Sequence, residues 1–138
     1  MKEIVLGADV ANIESVTDFV NEELESNGCS MRAQTQIDIA IDEILSNVAF
    51  YGYPDGKGQI RVTVDFPGSE AKVVIAFEDN GIEFNPLEKT DPDVTLAAED
   101  RKIGGLGIFL CKQLMDEVEY QYVDNCNVLI MKKIIAKN

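Results

Sequence analysis

A chain of 138 residues with 12 Lys and Arg against 25 Asp and Glu carries a formal net charge of −13. Such a surface repels nucleic-acid phosphates and anionic lipid, so neither a direct nucleic-acid nor a membrane partner is expected. The absence of histidine removes a Ser-His-Asp triad, a histidine phosphoacceptor and His-ligated zinc together. Hydrophobic residues, at 46%, suffice for one packed core, and the length fits a single domain over residues 1–138. Cys29, Cys111 and Cys126 are odd in number and lack C-x-x-C spacing, which supports neither a disulfide framework nor a zinc ribbon. They read as small core residues in a reducing compartment. The N-terminal Met-Lys-Glu-Ile-Val-Leu-Gly has no long apolar h-region, and no apolar run approaches the roughly 20 residues of a membrane span, so a cytoplasmic location is expected.

In chain order, residues 2–7 read as a short edge strand with Ile4 to Leu6 apolar, closed by Gly7. From Asn12, placed to cap a helix, Ile13, Val16, Phe19, Val20 and Leu24 recur at helical spacing until Gly28 stops it. Ser30 is placed to cap the next helix, which the pattern carries to about Tyr51. Within it Ile37, Ile41, Ile44, Leu45 and Val48 share one face. Glu43 and Asn47, one turn apart, sit together at the margin of that face. Turn-forming residues fill 52–58.

Ile60, Val62, Val64 and Phe66 then alternate with polar residues as a half-buried strand. Pro67-Gly68-Ser69-Glu70 makes a hairpin turn, and Val73 to Phe77 is a more continuously apolar return strand suited to the middle of a sheet. After Glu78-Asp79-Asn80-Gly81 the chain shows no periodicity to about Ile103. A loop that long inside a compact domain counts against the element assignment unless it is functional, as a lid is. Gly104-Gly105-Leu106-Gly107 opens a helix from Ile108 to about Met115. Val118, Tyr120 and Tyr122 alternate as a strand, Asp124-Asn125 turns, and Val128 to Ile135 is the last strand. The order β-α-α-β-β-lid-α-β-β implies an α+β two-layer sandwich, with helices on one face of a mostly antiparallel sheet.

Three polar or glycine-rich stretches stand in series: Glu43-x-x-x-Asn47 on a helix, Asp79-Asn80-Gly81 at a strand end, and Gly104-Gly105-Leu106-Gly107 at a helix start. Singly, each has a bland explanation, as a solvated helix margin, a turn, or loop flexibility. Their order, spacing and context together are much harder to reach by chance. In these stretches the chain resembles the Bergerat-fold ATP-binding domains of gyrase, Hsp90, histidine kinases and MutL. Within that superfamily it is most similar to the anti-sigma factor serine/threonine kinases of bacterial partner-switching systems. Ile-Asp-Glu-Ile-Leu-Ser-Asn-Val matches the N box, Glu78-Asp79-Asn80-Gly81 the first glycine box, and Gly-Gly-Leu-Gly-Ile-Phe-Leu the second. Leu114-Met115-Asp116-Glu117-Val118 is typical of the anti-sigma branch.

The resemblance implies ATP and Mg²⁺ as ligands. Asn47 matches the Mg²⁺-ligating position, through its side-chain oxygen. Glu43 matches the general base or water-orienting residue. Asp79 matches the carboxylate that accepts from the adenine amino group, and Gly81 the glycine that lets backbone approach the ring. Gly104, Gly105, Leu106 and Gly107 match the turn whose N–H groups meet the phosphates at a helix N-terminus. Residues 82–103 match the ATP lid, with Arg101 and Lys102 as candidate phosphate contacts or as solvated charge.

Two departures stand out. Tyr51 lies where relatives often carry histidine, and no role passes to it. Near the last strand relatives often have Gly-Thr-Thr, whose threonine supports the adenine-binding aspartate. This chain reads Asp124-Asn125-Cys126-Asn127, which leaves the second adenine contact unassigned, with Asn127 a stand-in on which nothing is built.

By resemblance, the expected function is a serine/threonine protein kinase that phosphorylates a STAS-domain anti-anti-sigma protein and holds a sigma factor, working as a homodimer. The competing expectation is a nucleotide-gated binding module with little phosphotransfer; retention of Glu43 favours the kinase. A detached histidine-kinase catalytic domain fits less well, with no dimerisation helix or histidine in the sequence. A gyrase- or MutL-like ATPase would need a further transducer domain.

Overall fold

A computed structural model describes residues 1–49, 58–68, 71–83, 85, 87 and 105–135, with backbone alone for 105–109. Five strands form one sheet: β1 (Lys2–Gly7), β2 (Gln59–Asp65), β3 (Lys72–Asp79), β4 (Glu117–Val123) and β5 (Cys126–Ile134), in spatial order β1-β2-β3-β5-β4. Every neighbouring pair is antiparallel. The apolar return strand is β3, at the centre of the sheet, as its composition implies.

Alternation sorts each strand. Ile60, Val62 and Val64 of β2, Val73, Ile75 and Phe77 of β3, and Leu129 and Met131 of β5 are buried on one face. Against that face lie α1 (Ile13–Ser26), α2 (Met31–Asn47) and α3 (Gly105–Leu114), which add Val16, Val20, Leu24, Ile37, Ile41, Ile44 and Cys111 to the same core. The result is the expected α+β two-layer sandwich. The opposite face of the sheet carries ion pairs at 3.6 Å, Arg61–Glu3, Lys72–Glu117 and Lys132–Glu119. They are solvent-screened and contribute little to stability.

Helix ends follow from their residues. Gly28, at φ +73, ends α1: its N–H donates to Glu25 O and that of Cys29 to Leu24 O, the Schellman arrangement. Ser30 caps α2, its Oγ accepting from Ala33 N–H at 3.1 Å. Asn12 occupies the cap position of α1 but makes no capping bond; its Nδ2 donates to Gly7 O instead. A short 3₁₀ turn, Val10–Asn12, precedes α1 and is capped by Asp9, so the local capping need is met one turn earlier.

Several boundaries shift. The α-helical part of α2 ends at Asn47, with Val48 and Ala49 in a wider π turn. Tyr51 and the turn-rich 52–57 lie outside the described residues. Strand β3 runs two residues past Phe77 and ends on Asp79. Helix α3 starts at Gly105, three residues earlier than the apolar pattern suggests, and β5 starts at Cys126, so it includes Asn127. The turn between β4 and β5 is the two residues Asp124 (φ 53) and Asn125 (φ 64), the left-handed pair that a type I′ hairpin requires. Of the cysteines, Cys111 is core and Cys29 packs against it, whereas Cys126 is half-buried and outside the core cluster; all three are free. Among the described residues no helix is long and apolar enough to cross a membrane.

Phe77, 1% exposed and two residues before the end of β3, joins the core from the strand that ends in Asp79. Phe77→Ala is expected to cost about 3–5 kcal/mol, read as a lowered midpoint with unchanged slope in denaturant unfolding.

Candidate functional site

Three hydrogen bonds orient the helices over the sheet. Ser30 N–H donates to Ile135 O, so α2 begins over the late end of β5. At that same end Asp116 N–H donates to Lys132 O and Lys133 Nζ to Leu114 O, which fixes the C-terminus of α3 there. The last turn of α2, through Leu45 and Val48, rests over Gly7 and Ile60 at the other end of the sheet. α2 and α3 pack together, and these anchors make them antiparallel. The C-terminal turn of α2 and the N-terminal turn of α3 therefore meet at the end of the sheet where Ile60, Asp79, Asn127 and Tyr122 form one cross-strand row. Strand and helix ends converging on one edge are a common way to build a ligand cleft.

Asn47, expected at the margin of the apolar face, is buried at 4% exposure. Its Nδ2 donates to Glu43 O at 2.7 Å. That bond fixes the carboxamide, since a flipped amide would set Oδ1 against a carbonyl oxygen. The Oδ1 atom is then buried without a hydrogen-bond partner, which costs about 1–3 kcal/mol unless a ligand satisfies it. Such an oxygen, with no charge of its own, suits a hard cation that takes few ligands from protein and the remainder from phosphate and water.

Glu43, one turn earlier, is partly buried. Burial, and then the charge of neighbouring Asp42, push its carboxyl above the ordinary glutamate value. Its own charge helps push the Cys111 thiol of α3 up to about 12, after burial as the larger cause. The carboxylate therefore lies within electrostatic reach of α3. With the helices antiparallel, Asn47 sits roughly 6 Å further along α2, toward the glycine end of α3. A carboxylate with a raised pKa is a stronger proton acceptor than a free one, and Cys111 is held as an inert thiol.

Gly105, Leu106 and Gly107 form the first turn of α3. First-turn N–H groups have no intrahelical acceptor, and their partial positive charge favours an anion. Gly104, Arg101, Lys102 and the stretch 88–103 lie outside the described residues. Of the expected lid, the described beginning includes Leu87, which packs on the core and whose N–H donates to Asn85 Oδ1.

Asp79, 6% exposed, closes the row. Its Oδ1 accepts from Gly81 N–H at 2.9 Å, an Asx turn through Asn80. The same oxygen accepts from Asn127 Nδ2 at 3.1 Å, and that nitrogen also donates to Ile82 O at 3.0 Å. Asn127 Oδ1 accepts from the Tyr120 hydroxyl at 2.5 Å. Asn127 and Tyr120 are thus part of the cluster, although the sequence reading built nothing on either. One signal was available: Asn127 is in phase with Leu129 and Met131, and a carboxamide on the core side of a strand asks for a partner.

The arrangement brings Glu43, Asn47, Asp79, Gly81 and the 105–107 turn to one end of the sandwich. Comparison with known proteins gives the family and the fold. The profile of the histidine kinase-like ATPase domain matches residues 6–133. The chain is 35% identical over 117 residues to serine-protein kinase RsbW of Listeria monocytogenes (strain EGD-e), covering 80% of this chain and 72% of that one. It is 25% identical over 134 residues to serine-protein kinase RsbW of Bacillus cereus (strain AH187), covering 94% and 76%. The RsbU and RsbW domains of Rv1364c from Mycobacterium tuberculosis match its structure with a TM-score of 0.64 at 14% identity, over all of this chain and 34% of that one. The catalytic domain of histidine kinase ThkA matches with a TM-score of 0.57 at 14% identity, over the whole of both. At such identity the structural matches establish the fold alone. With the profile spanning nearly the whole chain and a relative above 30% identity, this protein belongs to the Bergerat-fold, histidine kinase-like ATPase family, in its anti-sigma serine kinase branch.

Proposed function

We propose that this chain is a single-domain, ATP-dependent serine/threonine protein kinase whose substrate is a STAS-domain anti-anti-sigma protein, and that it holds a sigma factor in the same partner-switching circuit. The observation that carries the reading is the buried, unpartnered Oδ1 of Asn47 one turn from a carboxylate with a raised pKa. In this reading Asn47 holds Mg²⁺, Asp79 and Gly81 take the adenine, and Gly104, Gly105, Leu106 and Gly107 meet the phosphates through backbone N–H groups. ATP with Mg²⁺ supplies an activated γ-phosphoryl group with its charge partly neutralised. Glu43 accepts the proton of the attacking serine hydroxyl as the new O–P bond forms and ADP departs. The open edge of β1, an outer strand of the sheet, is the proposed homodimer contact.

The test is transfer of γ-labelled phosphate from Mg-ATP to STAS proteins of the same cell. Label on serine or threonine is expected with wild type, and Glu43→Gln should lower the rate at least about 100-fold. An active Glu43→Gln enzyme would remove the general base. No label from a chain that still binds ATP would leave a nucleotide-gated binding module in place of a kinase.

The rate should also fall with pH as Glu43 protonates, at a pH above the ordinary glutamate range because its carboxyl is raised. A carboxyl that keeps its proton to higher pH when folded makes its ionised form unfavourable to folding above that pKa. The penalty is full at neutral pH and vanishes below the unfolded value. Glu43→Gln should accordingly melt no lower than wild type at pH 7, with the difference closing as pH falls through the folded pKa. Thermal melts across that range separate lost chemistry from lost fold.

Asn47→Ala is expected to weaken nucleotide binding about 10- to 100-fold in the presence of Mg²⁺ and little in its absence. Titrations with and without the ion check this, and a retained Mg²⁺ dependence would move the metal elsewhere.

A further inference from the structure

Asp79 reads adenine, in the function proposed above, only while its carboxylate stays ionised and fixed in plane. Two donors converge on its Oδ1, Gly81 N–H and Asn127 Nδ2. The first is local to the turn. The second arrives across the β3–β5 pairing, in which Asp79 and Asn127 are directly opposite.

A carboxamide can present either end, so Asn127 serves as a donor only if something holds its orientation. Three contacts do. Asp79 Oδ1 and Ile82 O both take Nδ2, and a flipped amide would set its oxygen against both acceptors. On the other side the Tyr120 hydroxyl donates to Oδ1. Asn127 is 7% exposed, so water gives that oxygen little help. Tyr120 stands two residues from Tyr122, the residue paired with Asn127 across β4–β5, and so reaches Asn127 diagonally.

From this chain of contacts we propose that Tyr120 and Asn127 are positioning residues for adenine recognition. Tyr120 orients the Asn127 carboxamide, Asn127 orients the Asp79 carboxylate, and an acceptor held in that attitude favours a purine carrying an amino group. Asn127 lies in the stretch where relatives often carry Gly-Thr-Thr, so selectivity here rests on an amide and a phenol from two strands. The inference rests on Asp79 reading the base, and its test keeps the two claims apart.

The experiment compares binding of ATP with that of the triphosphate of unsubstituted purine riboside, which lacks the amino group. Both are titrated with Mg²⁺ into wild type, Asp79→Asn, Tyr120→Phe and Asn127→Ala. Wild type should favour ATP. Tyr120→Phe should lower ATP affinity about 3- to 10-fold, the worth of one buried hydrogen bond, and leave the purine nucleotide unchanged. Asn127→Ala should reduce the preference further, toward that of Asp79→Asn. A merely structural role would weaken both nucleotides alike and leave their ratio intact. If Asp79→Asn keeps the wild-type ratio, the adenine assignment is overturned and the positioning roles with it. If Asp79→Asn loses the ratio while Tyr120→Phe and Asn127→Ala keep it, the positioning roles alone are overturned. Should Asn127→Ala fail to fold, Tyr120→Phe, which removes one hydroxyl and keeps the ring, decides by the same criterion.

Discussion

A carboxylate at 6% exposure takes most of its donors from its own chain, because little of it meets water and burying a bare charge is costly. The bond from Asn127 to Asp79 meets that need, and much of the sandwich is arranged so that it can form. Core alternation sets β3 against β5 with Phe77 opposite Leu129, which leaves Asp79 opposite Asn127 at the end of the row. A one-residue slip would turn Asn127 to the outer face. The two left-handed residues of the β4–β5 turn then fix Val123 opposite Cys126 and bring Tyr120 within reach. Turn, register and buried charge form one dependency.

The parts of this fold that were legible in the sequence are those written in local signals. Gly28 and Ser30 mark helix ends because each acts on the backbone within a few residues. The strands show because one face is buried and the other is not. Asn12 misled in its detail: a residue suited to capping found a stronger use tying α1 to Gly7, with Asp9 taking the cap before it. The start of α3 was set late because glycines carry no apolar signal, although their backbone is already helical at Gly105. Asn47 was placed at a margin because periodicity prices it as polar, whereas the helix packing buries it.

Asn127 was hidden for a different reason. Its partners lie at positions 79, 82 and 120, and no window along the chain contains them all. The family pattern points to this stretch but asks for threonine in a Gly-Thr-Thr setting that this chain lacks, and so assigns Asn127 no contact. Geometry supplied what neither source could: an amide on the core side of β5, with donors and acceptors matched at both ends.

Among the described residues three buried side-chain oxygens lack hydrogen-bond partners, on Asn21, Asp38 and Asn47, and they call for two explanations. Asn21 Nδ2 lies 3.4 Å from Asp38 Oδ2, which joins α1 to α2. Burial raises the Asp38 carboxyl, with Asn21 opposing and Asp18 adding to the shift. That pair keeps one hydrogen bond between its two side chains, and burial pushes its titratable member toward the neutral form. Asn47 has no such recourse. A carboxamide does not titrate, its two N–H donors cannot serve its own oxygen, and Glu43 O already fixes which end is which. Among the described residues nothing closes the deficit at Asn47. In the function proposed above, a cation at this oxygen would satisfy the buried atom and offset the repulsion between a polyphosphate and a protein of net charge −13.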